Sequence, residues 1–86
     1  MTNNSYKYNP EDFKDILLLH EDLSKFYQSY EIYRAEKTKD SLFYLTIHWE
    51  QLFLSIKHRE VEGLLSPILA SEIRDYLEDL VNDDEL

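Results

Sequence analysis

Between Pro10 and Gly63 the chain reads EDFKDILLLHEDLSKFYQSYEIYRAEKTKDSLFYLTIHWEQLFLSIKHREVE (residues 11–62), without a single glycine or proline. Glycine and proline are the residues that most often interrupt regular structure. Their absence from a stretch rich in helix-forming residues therefore predicts long α-helices. The next interruption is Gly63-Leu64-Leu65-Ser66-Pro67. Here Ser66 suits a helix N-cap and Pro67 suits the first helical position, which predicts that another helix begins there.

The first helix is predicted over residues 10–36. Asn9-Pro10 is a typical helix start, and carboxylates follow in the first turn, where they suit the helix dipole. Apolar and aromatic side chains then recur at helical spacing and form one broad stripe. The stripe consists of Phe13, Ile16, Leu19, Leu23, Phe26, Tyr27, Tyr30 and Tyr33.

A polar turn is predicted at residues 37–41, where Thr38, Asp40 and Ser41 are all residues that can cap a helix. The alternative is one unbroken helix over residues 10–62, which would be very long for a small domain.

The second helix is predicted over residues 41–62, with apolar residues on two faces. At about 100° per residue the two faces lie far apart around the helix, and a helix that is apolar on two sides is usually buried on two sides. We therefore expect this helix to be central, packed against both other helices or against a second subunit, with Trp49 buried. The main face holds Leu42, Leu45, Trp49, Leu52, Phe53 and Ile56, and the second holds Phe43, Ile47, Leu54 and Val61.

The third helix is predicted over residues 67–82. It carries a single apolar stripe made of Leu69, Ile73, Tyr76, Leu77 and Leu80. The sequence thus predicts an all-α domain, residues 1–86, built as a three-helix bundle. Residues 1–8 are expected to form a flexible arm and residues 83–86 an acidic tail, and a homodimer could complete the core.

Composition narrows the classes of function. The chain has 86 residues, no cysteine and a net charge of −9. Direct binding to nucleic acid requires basic residues that neutralise phosphates, so the acidic composition disfavours it. Binding to anionic membranes is disfavoured for the same reason. The N-terminus lacks the apolar segment of a signal peptide, and no apolar run approaches the length of a membrane span. Because small secreted domains usually carry disulfides, we expect a cytoplasmic protein.

The first candidate binding surface is acidic. From Ser71 onward there are seven acidic residues and one basic residue, Arg74. Glu72, Asp75 and Asp79 follow helical spacing and should form a ridge, which Asp83 and Asp84 could extend. Like charges at this spacing destabilise a helix slightly. The ridge could dock a basic protein, could mimic the charge of nucleic acid, or could serve solubility alone.

The second candidate surface is the cluster of Tyr27, Tyr30 and Tyr33 near the end of the first helix, because tyrosine is enriched at protein interfaces. Packing in the core is the alternative role for these rings.

Chemical motifs that would indicate an enzyme do not occur. The histidines His20, His48 and His58 lack the spacing of a metal site, no nucleophile elbow is present, and a lone glycine cannot build a phosphate-binding loop. No catalytic residue, metal ligand or cofactor is therefore predicted. The sequence favours a non-catalytic protein-binding module, a regulator or inhibitor of a basic protein. A structural subunit of a homo-oligomer is the first alternative and a small helical enzyme the second.

Overall fold

The computed structural model describes residues 6–85, except for the side chains of Leu17 and of residues 83–85. Three α-helices pack together, and no strand occurs in this part of the chain, so the predicted all-α, three-helix architecture is confirmed. The elements are a short 3-10 helix at Pro10–Phe13, α1 at Leu17–Glu36, α2 at Lys39–Val61 and α3 at Pro67–Glu85.

The break between α1 and α2 lies at the predicted polar turn. Lys37 takes the left-handed conformation, with φ 52°, and its backbone N–H donates to the carbonyl of Tyr33 at 2.7 Å. Thr38 is then the N-cap of α2, since its Oγ1 accepts from the backbone N–H of Ser41 at 3.1 Å. The Ser41 hydroxyl in return accepts from the N–H of Thr38 at 3.0 Å. This reciprocal cap excludes a single continuous helix.

The N-terminal boundary of α1 differs from the predicted one. Pro10 starts only a single 3-10 turn, Ile16 leaves the helical conformation, and α1 begins at Leu17. The bend allows Phe13 to be buried, and the ring of His20 contacts the carbonyl of Pro10 at 2.8 Å. The contact of His20 with Pro10 and the burial of Phe13 both reach beyond the first turn, and they override the local helix-start signal of Asn9-Pro10.

The connection from α2 to α3 lies where the sequence predicts a break between helices, at residues 63–67. Gly63 has φ 85°, a conformation that residues with a Cβ rarely adopt, so a glycine suits the position. Leu65 is buried and anchors the loop in the core. The Ser66 hydroxyl then caps α3 by accepting from the backbone N–H of Leu69 at 3.1 Å, and Pro67 is the first helical residue.

The core consists of the inward faces of all three helices. The apolar and aromatic stripe predicted for the first helix is buried, apart from Ile16, which is only partly buried. Leu65 and Ala70 complete the core, although neither belongs to a predicted stripe. The buried apolar residues are Phe13, Leu19, Leu23, Phe26, Tyr27, Tyr30, Tyr33, Leu45, Leu52, Ile56, Leu65, Ala70, Ile73 and Leu77.

Helix α2 packs against both α1 and α3, as expected for a central element. Only one of its two apolar faces is buried, however. On the second face Phe43 is 60% exposed, Leu54 54% and Val61 79%. Trp49 also differs from expectation, because it is only partly buried at the edge of the core, 5.7 Å from the ring of Phe26. The prediction that α2 is buried on two sides therefore fails within the single chain.

Both ends of the chain extend onto the bundle where they are described. Of the predicted arm 1–8, residues 1–5 fall outside the described residues. Tyr6 stacks on Tyr27 with ring centroids 3.9 Å apart, and Tyr8 packs edge-on against Tyr76 at 5.5 Å. At the other end α3 continues to Glu85, beyond the predicted boundary at residue 82. Of the predicted acidic tail 83–86, the side chains of residues 83–85 and all of Leu86 fall outside the description.

Candidate protein-binding surface

The acidic face of α3, defined as Glu72, Asp75 and Asp79, is exposed along its whole length. These residues lie away from the buried side chains Ile73 and Leu77, because they occupy the opposite part of the helical wheel. Their carboxylates are therefore available to a partner and are not needed for the core. Asp83 and Asp84 continue α3, but their side chains lie outside the described residues.

The basic residue of α3 does not neutralise this face. Arg74 is directed towards α2, where its Nη1 lies 3.4 Å from Oε1 of Glu60. Its guanidinium also lies over the ring of Phe53, 5.7 Å from the centroid. Both contacts hold the positive charge on the α2 side of the helix. Arg74 is consequently not paired with the carboxylates of the acidic face.

The acidic face does not contribute to helix stability. Like charges three and four residues apart repel each other, and carboxylates near a helix C-terminus also oppose the helix dipole. Pairs such as Asp75 and Asp79 each cost a few tenths of a kcal/mol. Stability of α3 therefore does not account for this choice of residues.

One edge of the acidic face adjoins the N-terminal segment. The Tyr8 hydroxyl lies 3.4 Å from Oε1 of Glu72, and the backbone N–H of Lys7 donates to the Tyr76 hydroxyl at 2.8 Å. Residues 6–8 therefore bound the face on the side that borders the stacked tyrosines. The long Tyr8–Glu72 contact leaves the Glu72 carboxylate largely free for another donor.

The three tyrosines predicted as a second binding surface lie in the core. Tyr27 is 6% exposed, Tyr30 2% and Tyr33 8%. The Tyr27 hydroxyl donates to the backbone carbonyl of Tyr8 at 2.5 Å, and burial raises the pKa of Tyr27 above its ordinary value. Packing thus accounts for these rings, and they offer a partner almost no accessible area.

Tyr6 packs on the outer side of this aromatic cluster. Its ring stacks on Tyr27, and its hydroxyl donates to the carboxylate of Glu31. Burial, followed by this hydrogen bond, raises the pKa of Tyr6. The cluster therefore attaches the N-terminal segment to α1.

A groove between α2 and α3 was not predicted from the sequence. Its volume is about 480 Å³, its apolar walls come from Trp49, Phe53 and Leu54, and Glu50 and Glu78 stand at its rim. Phe53 is 42% exposed, and its ring lies 5.9 Å from that of Trp49. The one signal in the sequence is that Trp49 and Phe53, two large aromatic residues four apart, lie along one edge of the main apolar face of α2. An exposed aromatic groove is suited to an apolar side chain of a partner, although the guanidinium of Arg74 already lies over the Phe53 ring.

The three histidines have separate surroundings. His20 contacts the Pro10 carbonyl, His48 contacts the hydroxyl of Ser29, and His58 is exposed. Within the part of the chain that the structure describes, no three His, Cys, Asp or Glu side chains are grouped so that they could hold a metal ion. Over the same residues, none of the helices is both long enough and apolar enough to span a bilayer.

No protein-family model matches this chain, and comparisons with curated proteins and with solved structures find no match either.

Proposed function

We propose that this protein is a small acidic, non-catalytic binding module that docks a basic protein through the acidic face of α3 and thereby regulates or inhibits it. The observation that carries the proposal is the direction of Arg74. The positive charge of α3 is held against Glu60 and Phe53, so Glu72, Asp75 and Asp79 present uncompensated carboxylates to solvent. Such a surface attracts cationic partners over long distances and orients them during encounter.

The groove beside Trp49 and Phe53 supports the same proposal. Charged contacts at a rim contribute mainly to the association rate, whereas affinity usually depends on a few apolar anchors in desolvated pockets. An apolar side chain of the partner would enter the groove, and its basic residues would face Glu78 and the acidic face. The matching partner is a protein segment that combines basic residues with one large apolar side chain.

The test compares three immobilised proteins: the wild type, the triple variant Glu72→Gln, Asp75→Asn, Asp79→Asn, and a control. The control, Asp15→Asn, Glu21→Gln, Glu36→Gln, changes the net charge equally at exposed positions outside α3. Each is incubated with lysate of the source cell, and retained proteins are identified by mass spectrometry. We expect a basic protein that the wild type and the control retain and the triple variant does not.

The identified partner then allows a kinetic test. Loss of steering should lower the association rate of the triple variant on the order of tenfold at low salt, and the difference should shrink as salt screens the charges. Phe53→Ala should instead raise the dissociation rate, because it removes a wall of the groove. If the triple variant retained the same proteins at the same rates as the wild type, the acidic face would serve solubility only.

A further inference from the structure

The outer face of α2, defined as Phe43, Ile47, Leu54 and Val61, is a row of apolar side chains that the rest of the described chain leaves largely uncovered. It lies opposite the buried side of the helix, which includes Leu45 and Leu52. Phe43, Leu54 and Val61 are all more than half exposed, and Ile47 is partly exposed. Single exposed apolar residues are common on protein surfaces, but an aligned row along one helix indicates an interaction site.

The spacing of this row is that of a helix-pairing seam. Ile47, Leu54 and Val61 follow each other at intervals of seven residues, and Phe43 precedes Ile47 by four. Apolar residues at a heptad repeat keep one line of the helix in contact with a neighbouring helix. The face is therefore suited to one helix that runs along α2, not to a globular surface.

Two opposite charges interrupt the seam. Glu50 and Lys57 occupy the alternate heptad positions between the apolar residues, and both are exposed. Among residues 6–85 neither takes part in an ion pair of the chain itself. A partner helix that covers the seam must therefore offer a positive charge beside Glu50 and a negative charge beside Lys57.

We propose that the partner is a second copy of this chain, with the two α2 helices antiparallel across a two-fold axis at Leu54. In this register Leu54 meets its own copy on the axis. Ile47 lies opposite Val61 of the second copy, and Glu50 lies within one residue of the position opposite Lys57. The two-fold axis repeats each contact, so both charges of both chains are paired.

A parallel pair of α2 helices would bring like charges together. In a parallel pair each residue meets its own copy, so Glu50 would face Glu50 and Lys57 would face Lys57, which is unfavourable next to a desolvated seam. The antiparallel arrangement converts the same residues into two pairs of opposite charge. Over residues 47–61 the seam is therefore self-complementary in one direction only, whereas Phe43 lies opposite position 65, beyond the end of α2.

The dimer is expected to be weak. The seam from residue 47 to residue 61 is about 21 Å long at about 1.5 Å per residue, which is short compared with stable interfaces that bury about 800 Å² per partner. Each chain also carries a net charge of −9, which opposes association. Dimerisation should consequently depend on concentration and be sensitive to the two charge pairs.

Sedimentation equilibrium tests the register by charge reversal. The wild type should shift with concentration from the 10.4 kDa protomer towards twice that mass. Glu50→Lys and Lys57→Glu should each raise the dimer dissociation constant about tenfold, because each places like charges opposite one another twice per dimer. The double variant, which restores opposite charges, should dimerise as the wild type does.

Matched controls are Glu21→Lys and Lys25→Glu, which change the net charge in the same way at exposed positions of α1 and should leave the dissociation constant unchanged. Far-UV circular dichroism verifies that every variant is folded. A wild type that stays monomeric at high micromolar concentration would overturn the proposal. So would a dimer that ignores the single reversals, or a double variant as weak as the single ones. A monomeric wild type would favour a different occupant of the seam, and the other two results would favour a dimer built on another surface or in another register.

Discussion

The buried hydroxyl of Ser55 leads to a prediction that runs against the usual effect of core mutations. Ser55 lies within α2 and is 6% exposed, and among the described residues its Oγ has no hydrogen-bond partner. A buried hydroxyl without a partner costs about 1–3 kcal/mol of desolvation. Alanine removes this hydroxyl and is also the better helix former, by about 0.5 kcal/mol. Taking the lower end of the desolvation cost, Ser55→Ala should increase the free energy of unfolding by about 1–1.5 kcal/mol.

Ser29 supplies a matched control for the same substitution. It is buried to the same degree, 5% exposed, and lies within α1, but its hydroxyl is hydrogen-bonded to the ring of His48. Ser29→Ala gains the same helix propensity but loses a hydrogen bond worth about 1 kcal/mol and leaves His48 without this partner. We expect it to lower the free energy of unfolding by about 0.5 kcal/mol. The two variants should therefore differ by about 1.5–2 kcal/mol, and only the pairing of the hydroxyl distinguishes them.

Urea and thermal unfolding, followed by far-UV circular dichroism at one fixed protein concentration, measure these changes. In a domain of this size 1 kcal/mol corresponds to about 4–8 °C in Tm. The concentration must be fixed because self-association would add to the apparent stability. A Ser55→Ala variant no more stable than the wild type would refute the reasoning, as would equal effects of the two substitutions. Either result would mean that the Ser55 hydroxyl finds a partner, such as a buried water.

Three further predictions concern the caps and the tyrosine cluster. Lys37→Gly should raise the free energy of unfolding by about 0.5 kcal/mol in a urea melt, because glycine adopts the left-handed conformation of this position without the cost of a Cβ. Thr38→Ala should lower it by about 1 kcal/mol, because α2 loses the cap on the Ser41 N–H. The pKa values of Tyr6 and Tyr27 are raised in the folded protein. The stability that these two residues contribute is therefore fully present below the pKa they have in the unfolded chain, and it is lost as the pH rises from there towards their pKa in the folded protein. Unfolding should therefore begin above about pH 10 and coincide with phenolate absorbance, and a phenolate signal of both residues in the folded protein would contradict this.

Helix boundaries were predictable from the sequence only where a local signal decides them. The start of α3 follows from Ser66 and Pro67, whose capping chemistry involves neighbours in the chain alone. The start of α1 could not be found in this way, because the bend before Leu17 accompanies the burial of Phe13 in the core, which no local capping signal indicates. Lys37 likewise carries no signal for its left-handed conformation, so the turn was recognised from its polar residues and from Thr38.

The candidate site was predictable to a similar extent. The exposure of Glu72, Asp75 and Asp79 follows from their position off the apolar stripe of α3. Burial of the tyrosines could not be decided, because an amphipathic ring suits both a core and an interface. The groove of Trp49 and Phe53 depends on how two helices meet, which periodicity within one helix does not contain. Periodicity also identified both apolar faces of α2 without indicating that the fold covers only one.

The two proposed surfaces have a combined consequence. The outer face of α2 and the acidic face of α3 share no residue, although Leu54 and Glu50 of the seam also border the groove, so an antiparallel α2 pair would leave both acidic faces of the dimer free. The two faces would be related by the same two-fold axis and would form a bivalent acidic surface. A partner with repeated basic segments, or a partner that is itself a dimer, would then bind with an effective local concentration that raises affinity without any new contact. Lys57→Glu would weaken binding of such a partner without altering the acidic face or a residue of the groove, whereas a monovalent basic partner would bind the two proteins alike. Partner affinity as a function of dimer fraction therefore distinguishes a module that acts as a pair from one that acts alone.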